Sequence, residues 1–314
     1  MNIRINFLVL CLCLLPANST QSMEQARSNQ NIVHLKGLRK IRMAAFSPDT
    51  HFIAITNPQR VTLLCNTATG LSKGIIDHGN NPQHCSLGQS PCISLDNTTW
   101  VICEVCNGDI KAWDLRQQRY TIHIAHPIDA IVQHAVINVA GTTIASANKN
   151  IVFVYAHPWK EYVCQLRAHK NPITALAFNF FGTLLASADS GQNGIVAIWD
   201  TKKSSLVASI ASPTQAIKHL AFDAKGETVA LVSNHGCIYL WNHRTQKITS
   251  PYHDFFTHKN AHSTIKSIRF SPDDTHLLIC TKHGNIITLP VVKQTVETPW
   301  STVIQAKFWI KKQN

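Results

Sequence analysis

Apolar and polar residues alternate in short runs along most of the chain, with clusters of Pro, Asp, Asn and Gly between them. HFIAIT from His51, TLLASA from Thr183, ETVALV from Glu227 and HLLIC from His276 each follow a period of two, which predicts β-strands rather than helices. A second kind of run, IKAWD ending at Asp114, VAIWD at Asp200 and IYLWN at Asn242, is an alternating strand closed by Trp and a turn-forming Asp or Asn. A third precedes the first kind: AAFSPDT from Ala44, ALAFNFFGT from Ala175, HLAFDAKGE from His219 and SIRFSPDDT from Ser267.

These marks recur at a fixed distance. Trp113 and Trp199 lie two periods of 43 residues apart, Trp241 follows 42 residues later, and Phe46 to Phe270 spans five periods of about 45. Each period holds a strand ending in Phe, a Pro/Asp/Gly turn, an alternating strand, a second turn, a Trp-ended strand and a short fourth strand such as SLVASI at 205–210. Four short strands per period make one blade of a β-propeller, whose two apolar faces only neighbouring blades can cover. The sequence resembles the WD-repeat propellers over about residues 31–309. Blades fall at about 41–77, 90–124, 131–166, 173–210, 217–250 and 265–296, with Cys65 and Tyr155 standing where the family has Trp. NIVHLK at 31–36 looks like an outer fourth strand and TVIQAKFWI at 302–310 like a first strand. The expectation is therefore an all-β, seven-bladed propeller with a reduced last blade, six blades being the alternative. A reduced blade would expose an edge and invite self-association.

The resemblance implies a protein-interaction platform, with partners held by the connectors into first strands and the second-to-third strand turns. On that face stand Arg39, Lys40, Arg60, Lys149, Lys170 and Lys282, with His169, His235 and His283, against Asp109 and Asp189. This net positive rim suits an acidic or phosphorylated protein. The opposite face also carries Lys73, Arg116, Arg119, Lys202, Lys203, Arg244 and Lys247. The family's His, Ser/Thr, Asp, Trp hydrogen-bond network carries over in part: His169, Ser187 and Trp199 match, while Asn193 stands at the usual Asp place, as Asn107 and His235 do elsewhere. NKNIVFVYAHPWKEYV followed by RAHKNPITALAFNFFGTLLASAD resembles the phosphoinositide-binding PROPPIN subgroup. The Arg-Arg motif of that subgroup, due near Ile210, Ala211, Ser212 and Pro213, is absent.

Composition narrows the partner classes. The chain has 314 residues, 45% hydrophobic and 15% charged, enough apolar material for a large core and too little charge for a disordered tail or coiled coil. Its formal charge of +12 attracts acidic partners, yet no interleaved aromatic and basic platform points to nucleic acid. Residues 1–22 have Arg4, an apolar run from Phe7 to Leu15, Pro16, and the small residues Ala17 and Ser19, the layout of a secretory signal peptide. At about nine residues the run falls short of the roughly twenty that span a bilayer. An exported propeller over 31–314, periplasmic or secreted, with no integral span, is the expectation; a cytoplasmic protein is the alternative. Eight further cysteines sit mostly in apolar alternating runs, where they serve as small buried hydrophobes.

Chemistry-bearing clusters are few. Cys85, Cys92, Cys103 and Cys106, with His78 and His84 beside them, contain a CxxC, but Cys103 belongs to a strand and Cys106 to the following turn, unlike a zinc knuckle. His253, Asp254, His258 and His262 share the connector between the fifth and sixth blades. Neither group specifies a metal, and no cofactor is expected. GxSxG, HExxH and phosphate-cradling glycine motifs are missing. Asp49, Asp223, Glu227, Asp273 and Asp274 recur at the blade period in first-to-second strand turns, which makes them turn formers and leaves no catalytic pair.

Overall fold

The computed structural model describes residues 31–35, 41–57, 61–77, 92–95, 100–106, 109–114, 119–124, 132, 134–157, 162–191, 194–214, 216–250 and 265–291. Among these residues the alternating runs form strands and no helix. The described residues begin with β1 (Asn31–His34). The first sheet follows as β2 (Met43–Phe46), β3 (Phe52–Thr56), β4 (Val61–Asn66) and β5 (Ser72–Asp77), and the second as β6 (Cys92–Leu95), β7 (Trp100–Cys106), β8 (Asp109–Asp114) and β9 (Arg119–Ile124). The third is β10 (His134–Ile137), β11 (Thr143–Asn148), β12 (Ile151–Ala156) and β13 (Tyr162–Leu166). The fourth is β14 (Ile173–Phe178), β15 (Leu184–Asp189), β16 (Ile195–Asp200) and β17 (Ser205–Ala211). β18 (Ile217–Phe222), β19 (Thr228–Ser233), β20 (Ile238–Asn242) and β21 (Lys247–Thr249) make the fifth. The sixth takes β22 (Ile265–Phe270), β23 (His276–Thr281) and β24 (Asn285–Pro290), and its outer strand is β1.

The innermost strands touch in the order β2, β6, β10, β14, β18, β22, and β22 returns to β2, so the described residues close a ring of six four-stranded blades. The six-bladed alternative describes these residues, and the seven-bladed plan finds no support among them. β1 does not belong to a separate seventh blade: it pairs antiparallel with β24, Asn31 opposite Thr288 and His34 opposite Asn285. Leu35 N donates to Gly284 O at 2.9 Å and Ile41 N to Lys282 O at 3.0 Å. The second bond repeats at the closure the Ile173 N to Lys149 O bond, 2.7 Å, that joins the third blade to the fourth. The half-built blade on which self-association was premised is thus absent among the described residues; residues 302–310 lie outside them.

The core lies between blades. Val152, Val154 and Leu166 of the third blade pack with Ile173, Leu185 and Trp199 of the fourth, and Val196 and Ile198 of the fourth pack with Leu231 and Trp241 of the fifth. At the closure, Cys280 and Ile286 meet Ile53, Ile55 and Cys65. Second strands such as β15 and β19 are covered on both faces and are buried almost throughout.

Turn chemistry follows the repeat. Ser47 Oγ and Ser271 Oγ bond Asp49 and Asp273 and accept from Phe52 N and His276 N, at 3.0 and 2.9 Å, pinning each hairpin. Asn138, Asn179 and Asp223 hold the equivalent turns by accepting backbone N–H groups. Asp200 and Asn242, the residues after the tryptophans, each accept two backbone N–H groups in the next turn. Gly70 has φ of +68°, and a Cβ there would lie 2.5 Å from His34 O, so only glycine lets the first blade approach the closing strand β1.

Candidate functional site

The antiparallel order of each blade puts its second-to-third strand turn and the connector into the next inner strand on one face, called here the upper face. Lys149, Lys170, His235, Lys282 and His283 all stand there and are exposed, on the third to sixth blades. Arg39, Lys40 and Arg60 lie outside the described residues, and β8 describes Asp109 by its backbone alone. Lys202 and Lys203 are exposed on the lower face, where Arg244 pairs with Glu227 at 3.2 Å.

Two residues assigned to the rim are not on it. Asp189 and His169 are buried in the fourth blade, where the Asp189 carboxylate meets His169 Nδ1 at 3.1 Å. His169 Nε2 lies 2.6 Å from Ser187 Oγ, which accepts from Trp199 Nε1 at 2.8 Å. The indole N–H can only donate, so Ser187 donates to His169 Nε2 and the Nδ1–H donates to Asp189. Burial raises the Asp189 pKa, but the bond and charge of His169 with the Gly191 and Ile195 amides outweigh it, holding the carboxyl below the ordinary range. This chain has the members of a Ser-His-Asp hydrolytic triad without its access. Ser187 is wholly buried and its oxygen is already engaged twice, so the arrangement ties strands together.

The network is also more complete than expected. Asn193 leaves the carboxylate role open, and Asp189, at the end of β15, fills it from ten residues before the Trp. The fifth blade shows the contrast. Leu231 occupies the register place of Ser187, two residues beyond the partner of the Trp, and Trp241 Nε1 is buried with no hydrogen bond.

Among the described residues no three His, Cys, Asp or Glu converge on a metal position. His78, His84, Cys85, His253, Asp254, His258 and His262 lie outside them. Cys92 and Cys103 are register partners on β6 and β7, and Cys106 ends β7 rather than sitting in the turn beyond it. Cys65, Cys164, Cys237 and Cys280 are buried and form no disulfide. Burial pushes Cys65 up to about 11 and Cys280 up to about 12, so both stay protonated core residues.

The inner strands of the first and the third to sixth blades line a cavity of about 560 Å³ along the axis. Phe180 and Phe181, exposed and edge-to-face at 5.5 Å, border it at the lower face. Lys218, His219, Lys266, Arg269 and His134 line its wall. None of these was singled out from the sequence, where each lies within a strand that reads as core.

A family model described as "WD domain, G-beta repeat" matches residues 160–200 and 250–287. These segments, set in a ring of four-stranded blades, make the chain similar to the WD-repeat β-propellers. WD repeat-containing protein 90 of Xenopus tropicalis is 32% identical over 81 residues, 24% of this chain and 4% of that protein. Periodic tryptophan protein 2 homolog of Schizosaccharomyces pombe (strain 972 / ATCC 24843) is 31% identical over 100 residues, 32% of this chain and 11% of that protein. The chain thus spans a small part of the length of these relatives. No helix of the described residues is long and apolar enough to cross a membrane.

Proposed function

We propose that this WD-repeat propeller is a non-catalytic interaction scaffold that holds an acidic or phosphorylated protein on its upper face. The observation that carries it is the row of exposed Lys149, Lys170 and Lys282 with His235 and His283 over successive blades, while Asp189, a carboxylate first expected on that face, is buried against His169. The carboxylates of the inner turns are occupied in holding hairpins, which supports a binding rather than a catalytic role. Export by residues 1–22 would put that partner outside the cytoplasm, and the mature N-terminus of the native protein tests this.

The experiment is capture of partners by the full chain at low salt, with Lys149→Glu, Lys170→Glu and Lys282→Glu combined, and with Lys202→Glu and Lys203→Glu combined as the lower-face control. Loss of acidic partners in the first variant alone is expected. Equal retention by both variants would remove the upper face from the reading.

A further inference from the structure

Each inner strand of the fourth, fifth and sixth blades opens with the same irregularity. Pairing with the second strand skips one residue, between Ile173 and Ala175, between Ile217 and His219, and between Ile265 and Ser267. Such a bulge leaves the extra residue unpaired and turns its side chain away from the sheet. The three bulged residues are Thr174, Lys218 and Lys266. In the fourth blade the hydroxyl is spent on the blade interface, where Thr174 Oγ1 donates to Ile217 O. In the fifth and sixth blades the same position carries an ammonium group, and both lysines line the axial cavity.

Arg269, three residues along β22, lines the same cavity. Among the described residues none of these three cations has an ion pair within 4 Å. Asp49 and Asp223 are the carboxylates of the cavity wall. Asp223 is taken by the Glu227 amide, and Asp49 by Ser47, the His51 amide and the His51 ring at 3.2 Å. The three cations therefore line one cavity, Lys218 exposed and Lys266 and Arg269 half-buried, and both carboxylates of its described lining are already committed to turns. Burial lowers the Lys266 pKa, and Lys282 and Arg42 lower it further; burial also lowers Arg269 to about 10, against the attraction of Asp49. Two imidazoles complete the wall. His219 donates from Nε2 to Ile265 O at 3.2 Å, and His134 stands on the facing side of the ring.

Like charges gathered in a narrow cavity repel one another unless an anion lies between them. A bulge that aims a lysine at the axis twice in succession, with an arginine on the same wall, is the arrangement that multivalent oxyanions require. The space, about 560 Å³, matches a small-molecule pocket rather than a macromolecular groove. We propose that the axial cavity binds a compact soluble molecule carrying several phosphate groups, held by Lys218, Lys266 and Arg269. Lys282 of the upper face acts on Lys266 through space, so the site is told apart from the upper-face reading by Lys149 and Lys170, which are not among its lining residues.

The test is calorimetric titration of the full chain with sodium tripolyphosphate and with inositol hexakisphosphate, at two salt concentrations. Lys218→Gln and Lys266→Gln remove the charge and leave a polar side chain one atom shorter. Each should weaken binding about tenfold, as expected for one charge-assisted bond, with an unchanged circular dichroism spectrum. Lys149→Gln with Lys170→Gln should leave the affinity within about twofold. The proposal is overturned by absence of binding to both probes at millimolar concentration, or by upper-face variants that weaken binding as much as the cavity variants do. Should the lysine variants fail to fold, protection of Lys218 and Lys266 from amine acetylation by either probe in the unaltered chain is the deciding measurement. Equal labelling with and without probe would refute the site.

Discussion

Replacing Ser187 by Ala removes one oxygen from the fourth blade and tests what the buried network contributes. That oxygen accepts from Trp199 Nε1 at 2.8 Å and bonds His169 Nε2 at 2.6 Å, with Ser187 wholly buried and Trp199 1% exposed. No water reaches either partner, so the variant strands an indole N–H and an imidazole nitrogen. Each buried orphan costs about 1–3 kcal/mol, and the void left by one oxygen adds little, which sets the loss at about 2–6 kcal/mol. Urea unfolding at neutral pH, followed by tryptophan fluorescence and by far-ultraviolet circular dichroism, measures it, provided the two transitions coincide. A loss under about 0.5 kcal/mol with an unchanged slope would refute the reasoning, because a hydrogen-bonded network cannot be both buried and dispensable.

The two buried tryptophans should respond differently to removal of the N–H. Trp199→Phe loses a made hydrogen bond while Trp241→Phe removes an orphan donor, so the first should cost about 1–3 kcal/mol more in the same unfolding assay; equal losses would count against the assignment. Gly70→Ala should lower the thermal midpoint and speed proteolysis near β1, because its Cβ meets His34 O and its φ is positive, a cost of about 1–3 kcal/mol; a neutral result would mean β1 does not close the ring. Burial, aided by Lys218 and His219 for His134 and by Lys266 and Lys218 for His219, lowers both imidazoles to about 4. Unfolded histidine titrates near about 6.5, so the unfolded chain binds more protons between these values. Stability should accordingly fall as pH drops from about 6.5 to about 4, and His134→Gln with His219→Gln should flatten that slope; an unchanged slope in the double variant would exclude these two groups as its source.

The strands, their period and their turns were legible along the chain because they rest on local chemistry. A residue buried between two blades must be apolar, a hairpin needs a Ser-Pro-Asp or Asn to cap it, and both demands return every 40–45 residues. Blade boundaries from Met43 to Thr249 could be drawn on that basis. Spacing failed where partners were not neighbours in sequence. Asn31–His34 reads as an outer strand of any blade, and only its pairing with β24 shows that the sixth blade receives it, making the ring six rather than seven. Asp189 reads as an exposed turn carboxylate until the fold brings His169 over it. Lys218, Lys266 and Arg269 are single charges inside apolar strands, and a one-residue slip in pairing, which no period reveals, sets the two lysines apart from the ladder in the cavity lining. Local alternation determines which segments become strands, whereas the environment of a charge depends on which strands meet across the ring, and that is decided by tertiary packing.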